Sequence, residues 1–122
     1  MTKEQALHKF FNRFGITGYR ATSVPDDVIL PYLTYDAPIS SFEEDPVSIT
    51  LNLCFYTDSE ADPDAKAEEI RQAIGMGGVL LYCDGGSIWL KWGVPWCQSL
   101  VDDTNRNIKR RYINITAEYI TL

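Results

Sequence analysis

Apolar and polar residues alternate most strictly over residues 46–57. Val47, Ile49, Leu51, Leu53 and Phe55 fall on one side, and Ser48, Thr50, Asn52, Cys54 and Tyr56 on the other. A strand sends successive side chains to opposite faces, whereas a helix would scatter these five apolar residues around its circumference. The pattern predicts a central strand with one face against helices. The other face is polar, wet or covered by a partner. Acidic residues close both ends, Glu43-Glu44-Asp45 before the strand and Asp58 after it.

Elsewhere the period lengthens. Ala6, Leu7, Phe10, Phe11 and Phe14 recur at helical spacing, with Thr2 and Gln5 forming a capping-box pattern ahead of them. This amphipathic helix is expected to end at Gly15, where a left-handed cap is easy. Burying each phenylalanine offers ~1.5–3 kcal/mol, enough to dock the helix on the sheet. A second helix begins with Asp62 as N-cap, Pro63 at the first helical position and Asp64 near the positive helix end. Ala67, Ile70, Ala73 and Ile74 form its apolar stripe, and Gly75, Gly77 and Gly78 stop it.

The remaining segments read as strands and loops. Residues 15–27 read as a loop in which 19–22 is the one candidate short strand, outside the main element order. Residues 28–35 form a strand interrupted by Pro31, so it lies at an edge or starts after the proline. Residues 39–45 are acidic and serine-rich, a loop or a weakly paired edge. A hairpin joins 79–83 to 87–92 through the turn Asp84-Gly85-Gly86. Residues 93–107 are expected to form a loop of about fifteen residues, long enough to be suspected of function. In the last strand, 108–122, Ile113, Ile115, Ala117 and Tyr119 face one way, and Tyr112, Asn114, Thr116 and Glu118 the other. The order α-β-β-α-β-β-β predicts an α+β domain, a mostly antiparallel sheet with two α-helices packed on one face.

Composition adds limits. The 122 residues are expected to form one domain, 1–122, able to build a core without staples. A net charge of −6 and a pI near 4.6 argue against general nucleic-acid binding, which needs clustered cations, so no direct nucleic-acid readout is expected. Uncharged runs such as 72–83 fall well short of the ~20 residues that span a bilayer, and no membrane partner is expected. The N-terminus lacks the apolar stretch of a secretion signal. Cys54, Cys83 and Cys97 show no CxxC spacing and read as small hydrophobes, reduced in a cytoplasmic setting.

No enzymatic signature is expected from the residue pattern. From Asp58, Glu69 stands at the twelfth position of a calcium loop, but Pro63 replaces the glycine that the sharp turn requires. Asp58, Glu60, Asp62, Asp64 and Glu69 therefore read as an acidic loop and helix capping. Gly75, Gly77 and Gly78 follow a helix, whereas a phosphate site needs glycines that open one. His8 is the single histidine, so neither zinc nor any other cofactor is expected. Two constellations remain. Trp89, Trp92 and Trp96 lie close together and read as core or interface, tryptophan being a favoured interface anchor. Arg106, Lys109, Arg110 and Arg111 form the basic cluster, read either as a solvated strand entrance or as the partner of Glu43, Glu44 and Asp45, or of Asp58 and Glu60, in a neighbouring copy.

The segments Pro31-Tyr32-Leu33-Thr34-Tyr35, Gly93-Val94-Pro95-Trp96-Cys97-Gln98, and Asp102-Asp103 leading to Asn107-Ile108-Lys109-Arg110-Arg111-Tyr112-Ile113-Asn114-Ile115 carry a resemblance. With the order of helices and strands, they resemble the tail-terminator and tail-completion proteins of long-tailed bacteriophages, the minor capsid proteins of head-tail joining. The Pro95-Trp96-Cys97 sequence has no place in that family pattern. The resemblance implies a small α+β subunit that forms a homo-oligomeric ring, typically a hexamer, capping the tail tube. Its partners would be other copies of itself, the tail tube protein and head-tail connector proteins. Its place would be the tail or neck of a virion assembled in the bacterial host cytoplasm. Another connector component, an adaptor or stopper, shares this assembly logic. An unrelated small-molecule-binding or enzyme domain is the remaining class.

Overall fold

The computed structural model describes residues 1–102 and 104–122, so Asp103 of the acidic pair lies outside the described residues. Among them the chain forms α1 (Lys3–Phe11), β1 (Thr17–Arg20), β2 (Tyr32–Asp36), β3 (Val47–Tyr56), α2 (Ala61–Ile74), β4 (Val79–Cys83), β5 (Gly86–Val101) and β6 (Ile108–Thr121). The six strands make one sheet in the order β1-β2-β3-β6-β5-β4. Every pair is antiparallel except β1 with β2. This is an α+β fold, with both helices on one side of a mostly antiparallel sheet.

The core explains why. β3 buries Ile49, Leu51 and Leu53, as its alternation requires. Its neighbour β6 sets Ile115, Ile113 and Arg111 opposite these three. Ile88 and Leu90 of β5, and Leu33 and Tyr35 of β2, continue the same face. Leu7, Phe10 and Phe11 of α1 and Ala67, Ile70 and Ile74 of α2 cover it. α1 packs against β1 and β4, the two opposite edges of the sheet, so the sheet curls around this helix. Gly18 permits the approach on one side, since a Cβ there would lie 2.9 Å from the Phe11 carbonyl oxygen.

Four sequence expectations need correction. First, α1 ends at Phe11, ahead of Gly15. The Asn12 amide ends it by donating to the His8 carbonyl at 2.8 Å and accepting from the Gly18 N–H at 2.8 Å, which ties the helix end to β1. Second, α2 starts at Ala61 with Glu60 as its N-cap, so Asp62 lies inside the first turn. Ser59 Oγ accepts from the Ala61 N–H at 3.1 Å and begins the helix early. Third, the short strand spans Thr17–Arg20 rather than 19–22 and occupies the edge; β2 starts directly after Pro31, the second of the two alternatives given for it, and lies inside the sheet.

The fourth correction is the largest. Most of the expected 93–107 loop is strand. β5 runs through to Val101 and is interrupted by a bulge between Trp92 and Cys97. Trp92 pairs with Ile115 and Cys97 with Ile113, so residues 93–96 stand opposite Asn114 alone. Gly93 is required there, because a Cβ would come within 2.6 Å of the Asn114 carbonyl oxygen. Asn114 Nδ2 donates to the Pro95 carbonyl at 2.7 Å and closes the bulge. Glycine and proline, which punctuate a chain locally, here mark a bulge within a long strand.

Candidate functional site

The helices cover one face of the sheet and leave the other open. Thr50 and Asn52 of β3 and Asn114 and Thr116 of β6 put a polar, partly exposed centre on that outer face. Larger apolar groups surround it. Tyr82 is 75% exposed, Tyr56 60%, Leu80 44%, Leu100 43% and Ile120 41%. They fall in two groups, Tyr56 and Leu100 toward one end of the strands and Leu80, Tyr82 and Ile120 toward the other, with the polar centre between them.

The three tryptophans separate. Trp92 follows Ile88 and Leu90 onto the helix side and packs against the core. Its Nε1 donates to the Arg71 carbonyl of α2 at 2.8 Å, and the Arg71 guanidinium lies 4.0 Å from its ring centroid. Trp96 also packs against the core from the bulge, with its indole nitrogen buried and lacking a hydrogen-bond partner. Trp89 alternates with Ile88 and Leu90 and takes the outer face. Its Nε1 donates to the Gly77 carbonyl at 2.8 Å, and Lys91 Nζ lies 4.2 Å from its ring centroid. Of the two readings, core or interface, Trp92 and Trp96 take the core. Only Trp89 lies on the open face, because the strand period sends Trp92 inward and the bulge packs Trp96 against the core.

The basic cluster is also divided. Arg111 is buried at 2% exposure, and Nε donates to Asp64 at 2.9 Å. Its Nη2 pairs with Glu60. Burial alone would lower the Arg111 pKa; its hydrogen bonds to the Glu60 and Asp64 carboxylates outweigh this and hold it above its ordinary value. Arg110 pairs with Asp102 at 3.0 Å, and Lys109 lies 3.8 Å from Glu60. The Asp102 carboxyl is held down at about 2, first by the Thr104 hydroxyl and then by backbone N–H groups and Arg110. The pairing with Glu60 that was expected between copies thus occurs within one chain. Arg106 is exposed and has no carboxylate partner among the described residues.

Glu43, Glu44 and Asp45 lie far from this cluster in the chain's own pairing scheme. They belong to an exposed turn beside the end of β6, where the Phe42 N–H donates to the Thr121 carbonyl at 2.6 Å. The Glu44 carboxylate accepts from Ser40 Oγ and, at 3.3 Å, from the Ser41 N–H. The Ser40 bond first, and then the Ser41 bond, pull its pKa below the ordinary value. Phe42, 59% exposed, is the feature that sequence reading missed. Its signal was a large aromatic residue isolated among acidic ones.

The other candidate groups serve the fold. Glu60 and Asp64 are engaged with Arg111, and Gly75 ends α2 at φ 77. His8 Nδ1 shares a hydrogen bond with the Tyr35 hydroxyl at 3.1 Å. Burial pushes the Cys54 and Cys97 thiols up, which keeps them protonated and unreactive. Among the described residues, no three His, Cys, Asp or Glu side chains converge as metal ligands. Compared with models of known protein families and with curated proteins, the sequence shows no match.

Proposed function

We propose that this chain is a structural subunit of the tail-terminator type in a long-tailed bacteriophage. Copies assemble into a ring on the end of the tail tube, stop its polymerisation and present a surface to the head connector. The protein acts by binding and turns over no substrate. The observation that carries this reading is the one-sided covering of the sheet. The outer face keeps Tyr56, Leu80, Tyr82, Leu100 and Ile120 in water. Such surface is removed from water by assembly, at about 25 cal/mol for each Å² covered. The segments that resemble the phage family supply the identity of the assembly: the 31–35 strand, the bulged 93–98 stretch and the last strand.

A tube-growth assay tests the reading. Tail tube protein of the same phage polymerises alone or with this chain, and tube lengths are measured by electron microscopy. A terminator shortens the tubes and appears as a ring at one end. An unchanged length distribution, with binding to connector rings instead, would assign the chain to the adaptor or stopper role.

A further inference from the structure

A groove of about 380 Å³ runs between α1 and β4. Ala6 and Phe10 of α1 and Leu80, Leu81 and Tyr82 of the β4 edge line it with largely apolar surface, and Lys9 and Arg13, both exposed, add two cations. β4 is the last strand of the sheet, so one of its edges is unpaired along the groove. Among the described residues no carboxylate pairs with Lys9 or Arg13. Arg13 lies instead 5.6 Å and 5.9 Å from the ring centroids of Phe10 and Phe14. In a chain of net charge −6, an apolar groove edged by two unpaired cations is complementary to an acidic knob with an apolar tip.

The chain itself carries such a knob. Phe42 stands out from the 41–45 turn with Glu43 and Asp45 exposed beside it. Glu43 has φ 75, and among the described residues it is the one non-glycine residue at positive φ. A non-glycine residue held there persists because its surroundings fix it, and such positions gather at functional sites. The bonds to Thr121, Ser40 and Ser41 do the fixing here. A knob ordered beforehand loses little freedom on docking. Phe42 does not line the groove of its own chain, so seating it requires a second copy.

We propose that the 41–45 turn of one copy seats Phe42 in the α1–β4 groove of the next, with Glu43 and Asp45 against Lys9 and Arg13. These two cations replace the internally paired Arg110 and Arg111 as partners of the acidic turn. Knob and groove are different patches, so each copy offers one of each and the contact repeats head to tail. Closure of that repeat into a ring rests on the function proposed above; the contact itself does not.

Sedimentation velocity over a concentration series tests it, with wild type, Phe42→Ala and the double variant Lys9→Glu/Arg13→Glu. All three altered side chains are exposed, and circular dichroism checks that each variant is folded. Wild type should form species larger than a dimer. Each variant should weaken self-association by about tenfold or more. An equimolar mixture of the two variants retains one intact groove and one intact knob, and should form a 1:1 dimer and nothing larger. Assembly of Phe42→Ala at wild-type concentrations overturns the contact and leaves the ring reading standing. A wild-type species that stops at a dimer and is abolished by Phe42→Ala keeps the contact and overturns the ring. Wild type that stays monomeric throughout, or a variant mixture without dimer, overturns the contact.

Discussion

On β3, Leu51 and Leu53 face the helices with no exposed surface, while their neighbours Thr50 and Asn52 face away and remain partly in water. The same backbone thus carries two chemistries with a one-residue offset. On β6, Ile113 and Ile115 are fully buried, while Tyr112 and Asn114 stay partly exposed. The helix side is closed by three phenylalanines, stacked edge to face at 5.3 Å and 5.5 Å between ring centroids. The outer side has no such layer. The buried face accounts for stability, and the open face together with its edges is left for partners.

The comparison can be broken most strongly on the helix side. Leu53→Ala should cost ~2–5 kcal/mol, since the side chain is fully buried and its removal leaves a cavity. Thr50→Ala, on the other face, should stay within ~0.5 kcal/mol. Denaturant titration of both variants checks the assignment. Comparable losses at the two positions would mean that the outer face is not open.

Alkaline titration probes the same contrast with a smaller effect. Tyr119 is buried among core residues, its hydroxyl donates to the Pro38 carbonyl at 2.8 Å, and burial pushes its pKa up to about 12. The folded pKa lies above the ordinary value of 10.0, so the stabilisation is complete below pH 10 and is lost as pH rises toward 12. The loss should be about 2 kcal/mol. Tyr119→Phe should flatten this slope. An equal slope in the variant would place the titration elsewhere.

Asp64→Asn comes next. It removes one of two carboxylates from buried Arg111, yet Asp64 itself is 63% exposed, so solvent screening limits the cost to about 1 kcal/mol. A double-mutant cycle with Glu60→Gln should show coupling, because both acids serve one guanidinium.

Much of the covered face was legible in the sequence. The two-residue period of β3 and β6 and the phenylalanine stripe of α1 identify core residues because burial repeats at the period of the element. The bulge was not legible. Gly93 and Pro95 are strand breakers locally, and only the partner residue Asn114 shows that the ladder resumes at Cys97. The bulge also changes which parity faces inward, from Leu90 and Trp92 before it to Cys97 after it. For the same reason the run of Trp89, Trp92 and Trp96 could not be divided between core and surface without the register. The charge clusters were visible as clusters. Their partners were not, since Arg111 meets Glu60 and Asp64 only once α2 packs across β6. The groove between α1 and β4 depends on the sheet curling until both edges meet one helix, which no local pattern records.

The central claim is that assembly covers the open side of the sheet and the β4 edge with its groove along α1, while the core between sheet and helices stays as it is in the single chain. Hydroxyl-radical footprinting with mass spectrometry reads this directly, comparing the isolated chain with the ring bound to tail tube. Tyr56 and Trp89 report the outer face, Tyr82 its β4 edge beside the groove, and Tyr35 and Tyr119 the helix-side core. The account predicts that labelling at Tyr56, Tyr82 and Trp89 falls on assembly, while Tyr35 and Tyr119 stay weakly labelled in both states. Unchanged labelling at all three outer residues, in a sample shown to be assembled, would contradict it.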